Sequence, residues 1–346
     1  MASWITRRLV LPCLVAAGLG AAASVPAVAD DGAPAVFTIE DPRITESSGL
    51  AASSLHPGVY WTHNDSDDAA RIYAVDGTTG ETRATIDLDG VTARDVEAIS
   101  LGPEGDLYIA DIGDNFGGEW PEVWIYRIPE PGTLADARLT PTVHTVQYAD
   151  GPRDAEALMV HPETGRVYIA SKRDDGSGAL YAGPAELSSA EVNVFEPIAD
   201  IELEVTDGAF SPDGTRLLLR GYFAARMYVW TDEGLPERQE RRVRVPFQRQ
   251  GESVTFTLDG RYLMFGSEGG LSQVEPVELE AELLPESAQE AAGDGDGARD
   301  QGDGAGSEGD GEGSDGLSAN AITALLVVGA IALLASRRLP TRGDKG

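Results

Sequence analysis

The stretch Asp95-Val-Glu-Ala-Ile99 begins a short β-type run, and its pattern recurs along the chain. The five occurrences are Glu46-Ser-Ser-Gly-Leu50, Asp95-Val-Glu-Ala-Ile99, Asp154-Ala-Glu-Ala-Leu158, Thr206-Asp-Gly-Ala-Phe210 and Gly251-Glu-Ser-Val-Thr255. Alignment on the small and apolar residues that follow places five residues at one position: Ser48, Glu97, Glu156, Asp207 and Glu252. The occurrences are roughly 50 residues apart, a period typical of stacked or radial repeat folds. A carboxylate at one position of nearly every repeat predicts that these side chains converge.

Each repeat contains four short runs of β-type residues. In the second repeat the runs are Ala84–Leu88, Ala98–Leu101, Leu107–Ala110 and Val123–Ile128. Gly, Pro, Asp and Asn residues between the runs are turn signals. Four strands per repeat at this period are typical of a β-propeller. We therefore predict an all-β propeller over residues 30–284.

The strand count predicts five blades. There is one inner strand after each aligned residue, and there are five outer strands. The first outer strand, Phe37–Ile39, precedes the first complete repeat, and the last repeat ends after its third strand. Phe37–Ile39 should therefore pair with Leu271–Val277 and close the ring, which removes the exposed edges. The other outer strands are predicted at Ala84–Leu88, His144–Tyr148, Pro197–Leu203 and Arg242–Phe247. Six blades are the alternative if the long second repeat contains an extra sheet.

The two ends of the chain predict an exported, membrane-anchored protein. Residues 1–29 combine two arginines, an apolar run and the small residues Ala27-Val-Ala29, which is the pattern of a signal peptide. Residues 285–316 are rich in Gly and acidic residues and predict a disordered linker. Residues 317–336 form an apolar run long enough for a transmembrane helix, and the basic tail 337–346 predicts a cytoplasmic C-terminus. The propeller is thus expected outside the cell on a single membrane anchor.

The net charge and the cysteine content of the chain argue against one class of partner and against disulfide bonds. The formal net charge is −32, which argues against nucleic acid as a partner. Cys13, the chain's one cysteine, lies in the predicted signal peptide. The exported part therefore has no disulfide and depends on its apolar core for stability.

The aligned acids predict a cation site at one mouth of the propeller channel. The residues that begin the inner strands should point into the channel, where their carboxylates repel one another unless they take up protons or bind a cation. Ca²⁺ suits such a site because it accepts six to eight oxygen ligands in irregular geometry. The predicted ligands are Ser48, Glu97, Glu156, Asp207 and Glu252. No His or Cys recurs at this position, which argues against Zn²⁺.

Ion pairing with arginine is the alternative explanation for the acids. Arg94, Arg153 and Arg249 each precede an aligned or neighbouring acid by about three residues, and Arg43 precedes Ser48 by five. Arginine and carboxylate groups form strong bidentate pairs, so the acids could be satisfied without a metal. The same four arginines, Arg43, Arg94, Arg153 and Arg249, are also candidates for binding an anionic ligand.

The aligned set resembles the calcium-activated nucleotidase (apyrase) family, with one Ser or Glu per repeat at the inner strand. That family is a five-bladed propeller with Ca²⁺ in its central tunnel. The resemblance implies that Ser48, Glu97, Glu156 and Glu252 hold the metal, whereas Asp207 stands where the family usually has Ser. The segments that contact nucleotide in that family have no match here, so nucleotidase activity is not implied. Arg94-Asp-Val-Glu-Ala-Ile99 and Asp111-Ile-Gly-Asp-Asn115 also resemble secreted actinobacterial propellers and phytase-like or esterase-like propellers.

Three residues on the predicted face loops are candidates for catalysis: His63, Asp65 and Asp111. The chain has no Gly-x-Ser-x-Gly nucleophile motif. The main hypothesis is a cell-surface propeller that binds Ca²⁺ in its channel and offers a polar face to a small anionic ligand or a protein. The second hypothesis is a Ca²⁺-dependent phosphohydrolase, and the third is a protein-binding module that needs no metal.

Overall fold

The computed structural model describes residues 32–65, 68–172, 177–231, 234 and 240–297. In chain order the elements are β1 (Phe37–Thr38), β2 (Ser47–Ala52), β3 (Val59–Asn64), β4 (Arg71–Asp76), β5 (Thr82–Leu88), β6 (Val96–Leu101), β7 (Asp106–Asp111), β8 (Val123–Pro129), β9 (Ala137–Leu139), β10 (Thr142–Tyr148), β11 (Ala155–Val160), β12 (Val167–Ser171), β13 (Gly178–Ala182), β14 (Asn193–Ile201), β15 (Val205–Phe210), β16 (Arg216–Gly221), β17 (Ala225–Val229), β18 (Glu240–Val243), β19 (Gly251–Phe256), β20 (Tyr262–Ser267), β21 (Gln273–Glu278), a 3₁₀ turn (Ala281–Leu283) and α1 (Glu286–Gly297).

The strands form antiparallel meanders that are arranged as in a β-propeller. Unit 1 is β2-β3-β4-β5, unit 2 is β6-β7-β8-β10, unit 3 is β11-β12-β13-β14, unit 4 is β15-β16-β17-β18 and unit 5 is β19-β20-β21-β1. The first strands of the units contact one another in the closed order β2, β6, β11, β15, β19 and back to β2. These inner strands surround the central channel, and buried apolar side chains fill the space between neighbouring units.

The N-terminal strand completes unit 5, as the sequence predicts. Phe37 lies opposite Val274, and Thr38 lies opposite Gln273, in antiparallel register. The Ile39 N–H also donates to the Ser272 carbonyl at 2.9 Å. This pairing covers the edge of β21 and joins the first and last strands of the described sheets, which completes unit 5.

The long second repeat adds one short strand and, in the described residues, no further sheet. Strand β9 pairs in parallel with β5, with Ala137 opposite Ile86, and so widens unit 1 at its outer edge. Units 2 and 3 are also joined at their outer edges, where β10 pairs in parallel with β14. The side-chain amide of Asn193 supports this junction by donating to the Thr145 carbonyl at 2.9 Å.

The direction of the strands defines two faces. Each inner strand begins at the end where the second strand of the same unit finishes, since Ser47 lies opposite Asn64. We call this end the mouth face. It carries the loops between second and third strands and the loops that lead from one unit into the next. The opposite face carries the hairpins between first and second strands.

Several boundaries differ from the predicted ones: β1, β5, β10 and β14 begin or end one to four residues away, and two further differences concern β18 and the linker. Strand β18 ends at Val243, so the predicted outer strand Arg242–Phe247 is too long, and Phe247 stands in solvent. Helix α1 occupies the first residues of the segment that was predicted to be a disordered linker. The helix begins against unit 4, where the N–H groups of Glu286 and Ser287 donate to the side chains of Thr215 and Asp213 at 3.1 and 2.9 Å. These bonds satisfy N–H groups that a helix start leaves open.

The predicted signal peptide 1–29, most of the linker, the predicted membrane helix 317–336 and the tail 337–346 lie outside the described residues. Within the part of the chain that the structure describes, no helix is both long and apolar enough to span a membrane.

Candidate functional site: the acidic channel mouth

Each inner strand contains a β-bulge near its start. In every unit, the inner strand has one more residue than the paired second strand at this point. The extra residue is the second residue of the inner strand or the one next to it. A bulge turns the local side chains away from the regular alternation of the strand. The second residues of the five inner strands are Ser48, Glu97, Glu156, Thr206 and Glu252. All five are buried.

The structure corrects the aligned set by one residue in unit 4. Thr206, not Asp207, is the second residue of its inner strand. Its hydroxyl donates to the Glu252 carbonyl at 3.1 Å, as the hydroxyl of Ser48 donates to the Glu97 carbonyl at 3.1 Å. The alignment on small residues missed this position, since a bulge shifts the spacing between the acid and the regular part of the strand. Around the ring, four of the five neighbouring pairs therefore join a hydroxyl to a carboxylate, and Glu97 and Glu156 form the fifth pair.

Asp207 has a different role, because its carboxylate links units 4 and 5 by hydrogen bonds. Its carboxylate accepts the N–H groups of Gly208 and Val254, both at 2.7 Å. Complete burial raises the pKa of this carboxyl well above its usual range, although both backbone N–H groups favour the charged form. Each oxygen of the Asp207 carboxylate thus accepts one backbone N–H, and its role as a metal ligand stays a prediction.

Three carboxylates from units 1 and 2 converge at the mouth. Asp65 follows the end of β3, Asp95 precedes β6, and Glu97 is the bulge residue of β6. One oxygen atom from each lies within 4.8 Å of the other two. From the sequence, Glu97 is a predicted metal ligand and Asp65 a catalytic candidate, whereas Asp95 was not identified. The recurring phrase contains a pattern that could have identified Asp95. Asp95 and its counterpart Asp154 each lie two residues before a bulge residue.

The loop after β7 lies directly on this cluster, which we call the acidic cluster (Asp65, Asp95 and Glu97). A Cβ atom on Gly113 would lie 2.3 Å from Glu97 Oε1 and 2.7 Å from Asp95 Oδ2. Only glycine allows the loop to approach the carboxylates so closely. In the same loop the amide of Asn115 donates to Asp95 Oδ2 at 3.1 Å. The loop thus holds two of the three carboxylates in place.

In the described part of the chain, no Lys or Arg side chain forms an ion pair with the acidic cluster. Burial, followed by repulsion from Asp95 and Glu156, raises the pKa of Asp65 to about 8. Burial and then Glu156 raise the pKa of Glu97 well above its usual range. Asp65 Oδ1 is buried without a hydrogen-bond partner among the described residues. Carboxylates in this situation either hold protons or attract a cation.

Lys172 forms an ion pair with one of the ring acids. Its ammonium group donates to Glu156 Oε1 at 2.8 Å and to the Tyr222 hydroxyl at 2.9 Å. Even so, burial raises the pKa of Glu156 to about 7, because the lysine only partly offsets the loss of hydration. Burial also raises the pKa of Glu252 to about 7. One ammonium group therefore does not neutralise the mouth.

The four predicted ligand-binding arginines do not pair with the ring acids in the described structure. Arg43 binds Asp41 at 2.7 Å, and Arg153 binds Asp150. Arg94 lies between two indole rings, with its guanidinium carbon 3.4 Å from the Trp120 centroid and 4.5 Å from the Trp124 centroid. Arg249 is exposed. None of the four arginines thus forms an ion pair with a ring acid among the described residues, where Lys172 forms one with Glu156.

His63 and Asp111 are both fully buried. His63 Nδ1 lies 2.9 Å from the Asn64 carbonyl, and burial lowers the pKa of the imidazole to about 4. Asp111 accepts the Asp95 N–H at 2.9 Å and the Tyr126 hydroxyl at 2.7 Å. Asp111 therefore positions the backbone of Asp95, and neither side chain is open to a substrate. Of the three catalytic candidates, only Asp65 lies in the acidic cluster.

No protein-family model matches the chain, and no curated protein is similar to it in sequence. Solved structures with a related fold include Kuenenia stuttgartiensis hydrazine synthase, at 11% identity over 63% of this chain and 61% of that chain, with a TM-score of 0.37. A chain of the mitotic checkpoint complex is 12% identical over 67% of this chain and 63% of its own length, with a TM-score of 0.36. The gluconolactonase XC5397 from Xanthomonas campestris is 13% identical over 72% of this chain and 89% of that chain, with a TM-score of 0.40. This chain spans less than two thirds of the length of the first two. With TM-scores of at most 0.40, these similarities carry no inference about this chain.

Proposed function

We propose that this protein is a five-bladed, cell-surface β-propeller that binds Ca²⁺ at the mouth of its channel through Asp65, Asp95 and Glu97. The observation that carries the proposal is the distance between their oxygen atoms, at most 4.8 Å. Oxygen ligands lie roughly 2.4 Å from Ca²⁺, so two ligands of one ion are at most ~4.8 Å apart. The distances between the oxygen atoms of these three carboxylates satisfy that limit. Among the described residues, none of the three is paired with a cation.

Five blades follow from the five meanders if each meander is one blade. The closed order of their inner strands and the pairing of β1 with β21 support this reading. The export signal and the membrane anchor rest on the sequence patterns at the two ends of the chain. A propeller outside the cell would meet Ca²⁺ at concentrations suited to a weak or moderate site.

The proposed ion would join two neighbouring units. Asp65 belongs to unit 1, and Asp95 and Glu97 belong to unit 2. The corrected ring of Ser48, Glu97, Glu156, Thr206 and Glu252 has hydroxyl groups in units 1 and 4, which agrees better with the Ser and Glu ligands implied by the nucleotidase resemblance. The ion is thus proposed to be structural first, because it bridges parts of the chain that otherwise repel each other.

Calcium titration of the full chain by isothermal calorimetry tests the proposal. We expect one bound Ca²⁺ per chain in the wild type and a higher melting temperature with Ca²⁺ than with EGTA. The double variant Asp95→Asn with Glu97→Gln should lower the affinity about a hundredfold or more, since it removes two of the three ligand charges. Glu119→Gln, which alters an exposed acid in the Gly113–Glu122 loop, is the matched control. Equal binding by the wild type and the double variant would refute the site.

A Ca²⁺-dependent phosphohydrolase is the second candidate, and Lys172 is the feature that favours it. A phosphate oxygen could pair with this ammonium group next to the proposed ion. The excess of carboxylates opposes an anionic substrate, and Arg43 and Arg153 already bind acids. Phosphate release from nucleotides and phytate, measured with Ca²⁺ for the wild type and for Lys172→Gln, decides the matter. No release by the wild type would exclude this activity for those substrates.

A further inference from the structure

The mouth face carries the most exposed large apolar side chains of the described residues. Phe247 is 96% exposed, Phe223 is 72% exposed, and Phe116 and Leu271 are each 68% exposed. The next in this order, Val36, is 54% exposed and lies before β1. Single exposed apolar residues are ordinary, but four on one face form a pattern that is typical of an interaction surface.

These side chains lie in loops of unit 2 and of units 4 and 5. Phe116 follows Asn115, whose amide binds Asp95. Phe223, Phe247 and Leu271 lie in the loops of units 4 and 5, and we call these three the apolar arc. Phe223 lies 6.3 Å from the ring of Tyr222, which in turn bonds to Lys172. Through Tyr222 and Lys172, Phe223 is thus linked to the ring acid Glu156.

The loops that carry the apolar arc are held in place by hydrogen bonds. Next to Phe247, the Gln248 side chain accepts from buried Arg220 at 2.6 Å and donates to the Phe265 carbonyl at 3.0 Å. The N–H of Glu268 donates to the Gln250 carbonyl at 3.0 Å and so joins the two loops of unit 5. The apolar side chains thus lie on loops whose backbone is already ordered, which lowers the entropic cost of binding.

Leu271 adds a sign of strain. Its φ angle is +59°, in the left-handed region that disfavours residues with a side chain. The preceding residues, Gly269 and Gly270, would adopt this conformation at lower cost. A leucine that is both strained and exposed contributes little to the core, so its place on this face calls for a functional reason.

Acidic side chains accompany the apolar arc. Glu268 lies three residues before Leu271, and Glu46 lies close enough to affect its titration. Neither carboxylate has an ion pair within 4 Å among the described residues, and Arg249 is the exposed cation on the neighbouring loop. Glu46 and Glu268 thus place acidic groups on the mouth face beside Leu271.

We propose that the mouth face is the docking surface for a partner protein, and that it binds a segment in which a Lys or Arg side chain is flanked by apolar side chains. The apolar arc contacts the apolar side chains, and Glu46 and Glu268 pair with the basic group. Aromatic and large apolar anchors next to complementary charge are the usual composition of binding hot spots.

The chemistry of the face favours a polypeptide over other partners. Anionic lipid headgroups and nucleic acid phosphates are repelled by the unpaired carboxylates. A small molecule needs a concave site that encloses it, whereas side chains that are 68–96% exposed protrude into solvent. This docking surface does not depend on the proposed Ca²⁺ site.

Selection from a random peptide library displayed on phage, with the full chain as bait, tests the inference. We expect enriched peptides that contain Lys or Arg next to Phe, Trp, Leu or Ile. Their binding, measured with synthetic copies by fluorescence polarisation, should weaken about tenfold or more in the double variant Phe247→Ser with Leu271→Ser. Glu268→Gln should weaken it as well, and added salt should do the same.

The matched control is the double variant Leu55→Ser with Leu258→Ser, which removes two half-exposed leucines from hairpins on the opposite face. It should leave peptide binding unchanged. Melting temperatures of both double variants report whether the fold is intact. The inference is overturned if no peptide is enriched, if the enriched peptides lack a basic residue, or if the Phe247 and Leu271 changes do not weaken binding.

Discussion

The carboxylate of Asp207 accepts the backbone N–H of Val254 at 2.7 Å and thereby joins unit 4 to unit 5. The bond is completely buried, and the second oxygen of the same carboxylate accepts the Gly208 N–H. A ring of repeated units depends on such contacts between neighbours, because each unit cannot bury its apolar face alone. An acid that seemed to belong to a metal site is thus part of the framework that holds the ring together.

Replacing Asp207 should therefore reduce stability and leave metal binding intact. In Asp207→Ala, two buried N–H groups lose their acceptor, which costs about 2–4 kcal/mol of unfolding free energy. Denaturant unfolding measures this change, and calcium titration checks that the affinity is retained. A loss of Ca²⁺ binding with little change in stability would return Asp207 to the metal site.

The buried His63 should make stability depend on pH. Burial lowers its pKa to about 4, whereas the unfolded chain has an ordinary value of 6.5. The neutral imidazole therefore stabilises the fold fully above pH 6.5, and this contribution is lost as the pH falls towards 4, up to about 3 kcal/mol. Unfolding free energies at pH 7 and pH 4.5 should differ less in His63→Gln than in the wild type. Equal differences in the two proteins would contradict the assignment.

Lys172 should limit the affinity of the proposed Ca²⁺ site, because its ammonium group repels the ion. Lys172→Gln removes this charge and should strengthen Ca²⁺ binding about tenfold. It should also lower the stability of the metal-free protein, as Glu156 loses its partner. Lys172→Arg keeps the charge and is the matched control. Weaker Ca²⁺ binding in Lys172→Gln would show that the lysine supports the site by another route.

Gly113 should be essential for the geometry of the acidic cluster. In Gly113→Ala, the added methyl group meets the carboxylates of Glu97 and Asp95 and should lower the Ca²⁺ affinity about tenfold or more. Gly132→Ala is the control, because a Cβ atom there has no neighbour within 4 Å. Calorimetric titration of the two variants compares them. The same loss of affinity in both would point to a general effect on folding.

The architecture could be predicted from local sequence patterns. Alternating apolar residues and the turn residues between them locate the strands, and the count of strands per repeat predicts a ring that β1 completes. The outer limits were less certain: β18 ends early because Arg244, Val245 and Pro246 lead into the loop that carries Phe247. Helix α1 was missed because its first residues gain bonds to Asp213 and Thr215, which are distant in sequence.

The candidate site was predicted in part. Glu97 belongs to the acidic cluster as expected, and Glu156 lies beside it. The roles of Asp95 and Thr206 could not be read from the sequence, because the bulge in each inner strand changes which residue faces the channel. The arginines were misread for a related reason, since sequence proximity suggested the ring acids as partners of Arg43 and Arg153, whereas the folded loops bring them to Asp41 and Asp150.

The sequence by itself determined the repeat, its strands and the closure of the ring, since β-periodicity and turn residues act over a few neighbouring residues. Only the tertiary structure decided which acids meet. Asp65 lies next to Asp95 and Glu97 because units 1 and 2 pack side by side around the channel. Such contacts depend on strand register and on one-residue bulges, and a shift of one residue turns a side chain from the channel to a neighbouring backbone.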